Sequence, residues 1–157
     1  MLAFVDLETR LPLDHPLRTI KSLADEALAE LSPLFDGMYA EFGRPSIPPE
    51  RLLKASLLIS LYAVRSEYAF CEELTYHLLF RWFLGMDMVE PSFDSSTFYK
   101  NRARLLAHQV AREFFDAVVR RAAERDLLSD AHFTVDGTLI HAAEGPEFFG
   151  LAQVLHT

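Results

Sequence analysis

The spacing of apolar residues constrains the fold most, because it follows the period of an α-helix through most of the chain. Asp14 and Pro16 mark the first helix start, and the apolar side chains that follow recur every three or four residues. These side chains are Leu17, Ile20, Leu23, Ala27, Leu28 and Leu31. The pattern predicts an amphipathic helix, and its repetition along the chain predicts a mainly α-helical domain.

Five further helices are expected between residues 32 and 127. Their starts are near Ser32, Ser46, Ser66, Asp94 and His108. The helix that follows Pro48 and Pro49 has almost no polar face and should be central. The next is predicted to run from residue 66 to residue 85, with its aromatic residues and Cys71 in the core. The last two are expected at 97–106 and 108–127.

The period changes near the carboxyl end of the sequence. Residues 132–136 and 138–142 favour β-strands and are separated by Gly137, as in a hairpin. Helices followed by a strand pair are typical of an α-helical module joined to the beginning of an α/β domain. We therefore expect a helical domain at residues 1–130, the first strands of a second domain at 131–143 and a tail at 144–157.

The charge balance restricts the classes of partner. With 15 basic and 23 acidic residues the formal net charge is −8, which argues against a protein that binds polyanions over its whole surface. Any contact with nucleic acid must therefore be local. The chain start lacks the pattern of a secretion signal, and the longest apolar stretch, residues 55–64, is far shorter than the ~20 residues of a membrane-spanning helix. A cytoplasmic protein without a membrane segment is expected.

Several motifs occur together in a fixed order. The two longest are RSEYAFCEELTYHLLFRWFLGM at residues 65–86 and FDSSTFYKNRARL at residues 93–105. Shorter ones are HPLR at 15–18, GRPSIPPE at 43–50 and TVDGTLIHA at 134–142. In these motifs the chain resembles the InsH-like group of DDE-type insertion-sequence transposases, over roughly residues 12–142. A single motif would be weak support, but their shared order makes chance similarity improbable.

The resemblance implies a helical module that recognises transposon ends, followed by a ribonuclease-H-like catalytic domain. In that domain two Asp and one Glu hold divalent cations, usually Mg²⁺, for phosphoryl transfer. Asp136 matches the first of these catalytic and metal-binding residues, and only Glu144 and Glu147 follow it as carboxylates. We therefore expect an amino-terminal portion of a transposase, truncated after that aspartate. It would be catalytically incomplete, without tightly bound Mg²⁺, and associated with the bacterial nucleoid.

The predicted short helix near residue 100 is the main candidate for DNA contact. It follows a turn and resembles the second helix of a helix-turn-helix, which enters the major groove of double-stranded DNA. Its candidate DNA-binding residues are Ser96, Thr97, Tyr99, Lys100, Arg102 and Arg104. The expected ligand is the terminal inverted repeat of a transposon. The alternative is a solvated basic helix face without a partner.

Other charged residues admit a structural interpretation. Four arginines of the last helix, Arg112, Arg120, Arg121 and Arg125, have acidic neighbours at Glu113, Asp116, Glu124 and Asp126. We expect local pairing between these two sets rather than an extended phosphate-binding surface. The stem of Arg81 should pack against aromatic residues with the guanidinium at an edge. His132 and Asp136 share one face of the predicted strand, and with His141 they leave a divalent-ion site open as an alternative.

A second functional interpretation is a protein–protein interaction module. The apolar stripes at residues 17–31 and 110–122, with the apolar tail, motivate pairing with another copy of the chain or with an intact transposase. Such a protein would regulate transposition. A third alternative is a remnant without a selected function.

Overall fold

The computed structural model describes residues 4–43 and 46–127, and within these ranges all regular elements are helices. In chain order they are α1 (Leu7–Arg10), α2 (Pro16–Glu30), α3 (Ser32–Phe42), α4 (Pro49–Leu61), α5 (Glu67–Leu74), α6 (Leu78–Leu84), α7 (Ser95–Leu106) and α8 (Gln109–Glu124). The mainly α-helical prediction is confirmed. The predicted hairpin and tail, with His132, Asp136 and His141, lie outside the described residues.

Side-chain caps account for most of the helix starts. The Ser66 hydroxyl accepts the backbone N–H of Ala69 at 3.1 Å to begin α5, and the Asp94 carboxylate accepts that of Thr97 at 2.9 Å to begin α7. His108 caps α8 through its ring nitrogen. At α2 the cap is His15, whose Nδ1 accepts from the Leu17 N–H, and not the predicted Asp14.

The prediction of one helix across residues 66–85 is wrong, because the chain breaks between α5 and α6. The His77 backbone is extended, and its ring nitrogen accepts the Phe80 N–H at 3.4 Å to start a new helix. The apolar pattern does not reveal this break, since Phe70 and Cys71 in α5 and Phe83 in α6 are all buried in one core. Because both helices are short, the chain can change direction between α5 and α6 while both helices bury their apolar residues in the same core.

The short helix α1 was not predicted, and contacts far along the chain hold it in place. Arg18 is ion-paired with Glu8 and donates to the backbone carbonyls of Glu8 at 2.7 Å and Leu11 at 3.1 Å. The Trp82 indole N–H donates to the other Glu8 carboxylate oxygen at 2.6 Å. The HPLR motif therefore has a structural role here, because its arginine attaches the amino-terminal segment to α2, while Trp82 attaches it to α6.

The helix α4 lies at the centre of the domain, as its apolar sequence predicts, and packs against α6 and α7. α2 packs along α8, and α7 also contacts α5 and α8. The largest fully buried side chains are aromatic: Phe70, Phe80, Phe83, Phe98 and Phe114. Cys71 is buried as expected, and burial raises the pKa of its thiol to about 11. Among the described helices none is both long and apolar enough to cross a membrane.

Candidate nucleic-acid interface

The helix α7 has one buried face and one exposed face. Phe98 is fully buried and its ring lies 5.5 Å from that of Phe70 and 5.7 Å from that of Phe93, centroid to centroid. Leu105 is buried on the same side. The exposed residues are Ser96, Tyr99, Lys100, Ala103 and Arg104. The aromatic contacts therefore fix the inner face, and the outer face is directed to solvent.

The outer face of α7 carries a positive charge that its own helix does not balance. Lys100 and Arg104 are exposed one helical turn apart, and α7 contains no acidic residue. Neither cation has an ion-pair partner within residues 4–43 and 46–127. Tyr99 lies beside them with 57% of its surface exposed. Phosphate groups can reach both cations without displacing a carboxylate of the described part of the chain.

The amino-terminal end of α7 has a different electrostatic character. The Ser96 and Thr97 hydroxyls donate to the Asp94 carboxylate at 3.0 and 2.9 Å, in addition to the backbone N–H of Thr97. The Thr97 N–H and both hydroxyls hold the pKa of Asp94 below its usual 3.8. Asp94 is therefore ionised at neutral pH. Ser96 and Thr97 lie at the edge of the basic face, where their hydroxyl protons serve the helix cap.

The structure does not fit the prediction that Arg102 contacts DNA. Its side chain is buried, with only 7% of the residue exposed, because it lies on the same face of α7 as Phe98. Its Nε donates to the Ser56 hydroxyl at 2.9 Å, and an Nη donates to the Glu67 carboxylate at 2.9 Å. These partners are 46 and 35 residues away in sequence, so no local spacing reveals them.

The segment that connects α6 to α7 is longer than the turn of about three or four residues in a helix-turn-helix. Residues 85–94 connect α6 to α7, and α7 packs against α4 and α5. Arg81 fixes this connection, since one Nη donates to the carbonyls of Asp87 and Glu90, both at 2.7 Å. Its guanidinium is therefore buried, and not at an edge as predicted. Arg51 adds an ion pair with Glu90 and a hydrogen bond to the Gly85 carbonyl.

The arginines at the end of α8 pair with α2 and not with their sequence neighbours. Arg120 contacts Glu30 at 2.8 Å, Arg121 contacts Glu30 at 2.6 Å and Glu26 at 3.1 Å, and Arg125 contacts Glu26 at 2.7 Å. We refer to these five residues as the α2–α8 ion-pair ladder. Pairing was predicted correctly but its partners were not, because helix packing places two α2 carboxylates along this stretch of α8.

The ladder shifts the acid–base equilibria of its carboxylates. Arg125 lowers the pKa of Glu26 below its usual 4.5 through a hydrogen bond, and Arg120 followed by Arg121 does the same for Glu30. Both carboxylates are therefore ionised at physiological pH, and each of the three arginines has at least one of them as an ion-pair partner. Arg112, at the start of α8, is exposed and has no ion-pair partner in the described part of the chain.

An open surface groove of about 520 Å³ lies between α1, α2 and α6, away from α7. Its charged lining is engaged in pairs, Arg18 with Glu8 and Lys21 with Asp25. Across the described ranges no group of three His, Cys, Asp or Glu side chains is arranged to hold a metal ion. Because its cations have no competing carboxylate among the described residues, the outer face of α7 is the stronger candidate for a ligand-binding surface.

Comparison with protein families gives a match over the greater part of the chain. The family model described as "Transposase domain (DUF772)" matches residues 5–104. The matched range contains α1 to α6 and α7 as far as Arg104. No match was found among curated proteins or among solved structures.

Proposed function

Because the chain belongs to the Transposase domain (DUF772) family, its role is related to transposition, and we propose that it binds double-stranded DNA at transposon ends through α7. The contact surface is the outer face of α7, with Lys100 and Arg104 directed at phosphates. Tyr99 and Ser96 border the same face. Tyr99 is the candidate donor to bases or sugars, whereas Ser96, whose proton is donated to Asp94, can only accept a hydrogen bond. An α-helix of this size fits the major groove of B-form DNA.

The observation that carries this proposal is the absence of competing carboxylates beside two exposed cations in the described structure. A cation that is already ion-paired must lose its partner before it contacts a phosphate, whereas Lys100 and Arg104 lose only water. Because the chain as a whole is acidic, binding should be local and strongly dependent on salt. The rigid attachment of α7 supports recognition of a defined DNA shape.

The DDE chemistry of the resembled group extends the proposal to a residue outside the described ranges. Asp136 would be the first carboxylate ligand of a Mg²⁺ site that stabilises the attacking and leaving oxygens. No step of strand cutting is assigned to the described residues. The proposed activity of the helical domain is DNA recognition.

The structure weakens the alternative that the chain pairs with a second copy or with an intact transposase. The apolar stripes at residues 17–31 and 110–122 lie on α2 and α8, which pack against each other within one chain. Leu17, Ile20, Phe114 and Val118 are fully or almost fully buried. These stripes are therefore core, and DNA binding by α7 is favoured.

Fluorescence anisotropy with labelled duplexes tests the proposal. One duplex carries an inverted repeat that flanks the gene of this chain, and the other is a scrambled duplex of equal length and composition. For Lys100→Ala with Arg104→Ala, we expect the affinity to fall by about tenfold to a hundredfold. The slope of log Kd against log salt should fall by about two, because each phosphate contact contributes about 0.9.

A double variant of the ladder, Arg120→Ala with Arg125→Ala, is the matched control. It also removes two positive charges, but from side chains that are already ion-paired. We expect its salt slope to equal that of the wild type. Equal losses in the two double variants would show that net charge and not α7 governs binding, and no loss in either would exclude α7 as the contact surface.

A further inference from the structure

Arg102 connects α7 to two other helices through a chain of polar contacts. Its Nε donates to Ser56 in α4, and its Nη donates to Glu67, the first residue of α5, each at 2.9 Å. The Ser56 hydroxyl donates in turn to the Leu52 carbonyl at 2.9 Å, which leaves a lone pair of the hydroxyl oxygen for Arg102. The guanidinium is thus held from two sides by groups with fixed directions.

The other inner contacts of α7 are apolar and less directional. Phe98 and Leu105 anchor the helix through burial, which depends on area more than on angle. Hydrogen bonds, in contrast, weaken steeply when the donor and acceptor are misaligned. The Arg102 contacts therefore restrict both the rotation of α7 about its axis and its sliding along α4 and α5.

The position of Arg102 in the helix couples this restriction to the outer face. Lys100 and Arg104 lie two residues before and two residues after it, on the opposite side of α7. A rotation of the helix displaces both cations together. Phosphates in a duplex have fixed spacing, so such a displacement changes which phosphates Lys100 and Arg104 can contact simultaneously.

On the premise of the proposed DNA binding by α7, we propose that Arg102 is a positioning residue for recognition. It sets the orientation of Lys100 and Arg104 from inside the protein and does not itself contact DNA. Glu67 and Ser56 serve the same purpose as its partners. Arg102 and these two partners determine the preference for a DNA sequence or shape, whereas the exposed cations supply the attraction to phosphates.

The test compares Glu67→Met and Arg102→Met with the wild type on the inverted-repeat and scrambled duplexes. We expect both variants to lose about tenfold of the preference for the inverted repeat, with the salt slope unchanged. A role in stability alone would reduce binding to both duplexes equally. Glu67→Met is the decisive variant, because it removes the acceptor of the Arg102 hydrogen bond, whereas loss of a carboxylate near DNA would by itself raise the affinity for both duplexes.

Glu30→Met is the control, since it removes a carboxylate that pairs with arginines away from α7. It should retain the wild-type preference. If Arg102→Met does not fold by circular dichroism, Glu67→Met alone decides. The inference is overturned by a wild-type preference in a folded Glu67→Met variant, or by a fall of about one in the salt slope of Arg102→Met, which marks a direct phosphate contact. If the wild type binds neither duplex, the proposed function itself fails, together with this role.

Discussion

The consecutive helices α7 and α8 carry similar numbers of basic residues, but their surroundings assign these residues different roles. The α2–α8 ion-pair ladder engages Arg120, Arg121 and Arg125 with carboxylates of α2. On α7, one cation is buried in a polar network and two face solvent without a described partner. A count of basic residues therefore does not identify a nucleic-acid surface. The charges on the helix packed alongside decide which cations remain available.

The inner faces of the two helices should contribute equally to stability. Phe98 in α7 and Phe114 in α8 are both fully buried in the same core. Truncation to alanine removes buried aromatic surface and leaves a cavity, so we expect each Phe→Ala variant to lower the free energy of unfolding by about 3–5 kcal/mol. Urea denaturation measures this loss. A cost below about 1 kcal/mol for Phe98→Ala would mean that α7 is not anchored as described.

The ladder should make the stability of the domain depend on pH. The pKa values of Glu26 and Glu30 are lowered in the folded state, so their stabilisation is complete above pH 4.5 and is lost as the pH falls through the folded values. We expect the wild-type Tm to fall more between pH 5 and about pH 3 than that of Glu26→Gln with Glu30→Gln.

Differential scanning calorimetry across this pH range measures the effect of the ladder. Glu72→Gln, which removes an exposed carboxylate of α5 outside the ladder, is the control and should follow the wild-type curve. Parallel curves for the wild type and the Glu26 and Glu30 double variant would show that the ladder does not hold α2 against α8 in solution.

The exposed cations of α7 should have the smallest effect on stability. Lys100 and Arg104 have no described partner, so replacing each with alanine should change the free energy of unfolding by no more than about 0.5 kcal/mol. Thermal unfolding without DNA measures this change. Loss of DNA affinity without loss of stability would separate the function of the outer face from the folding of the helix. A large destabilisation would instead indicate an internal contact of these side chains.

Local sequence patterns predicted most helices because their causes are local. The period of apolar residues located α2, α4 and α8, and the short polar residues Ser66 and Asp94 marked the starts of α5 and α7, which the structure confirms. The break between α5 and α6 was missed, since both helices bury their apolar residues in one core. Four-residue α1 is too short to show a period and depends on Arg18 and Trp82 for its position.

The sequence by itself determined a helical domain with a basic segment near residue 100, because apolar periodicity and capping act between residues that are close along the chain. Only the tertiary structure decided which cations of that segment are available to a ligand. Arg102 was predicted to contact DNA together with Lys100 and Arg104, yet packing against α4 and α5 places it beside Ser56 and Glu67. The reason is physical: a cation is neutralised by whichever carboxylate lies within a few ångströms, and those neighbours are supplied by helices distant in sequence.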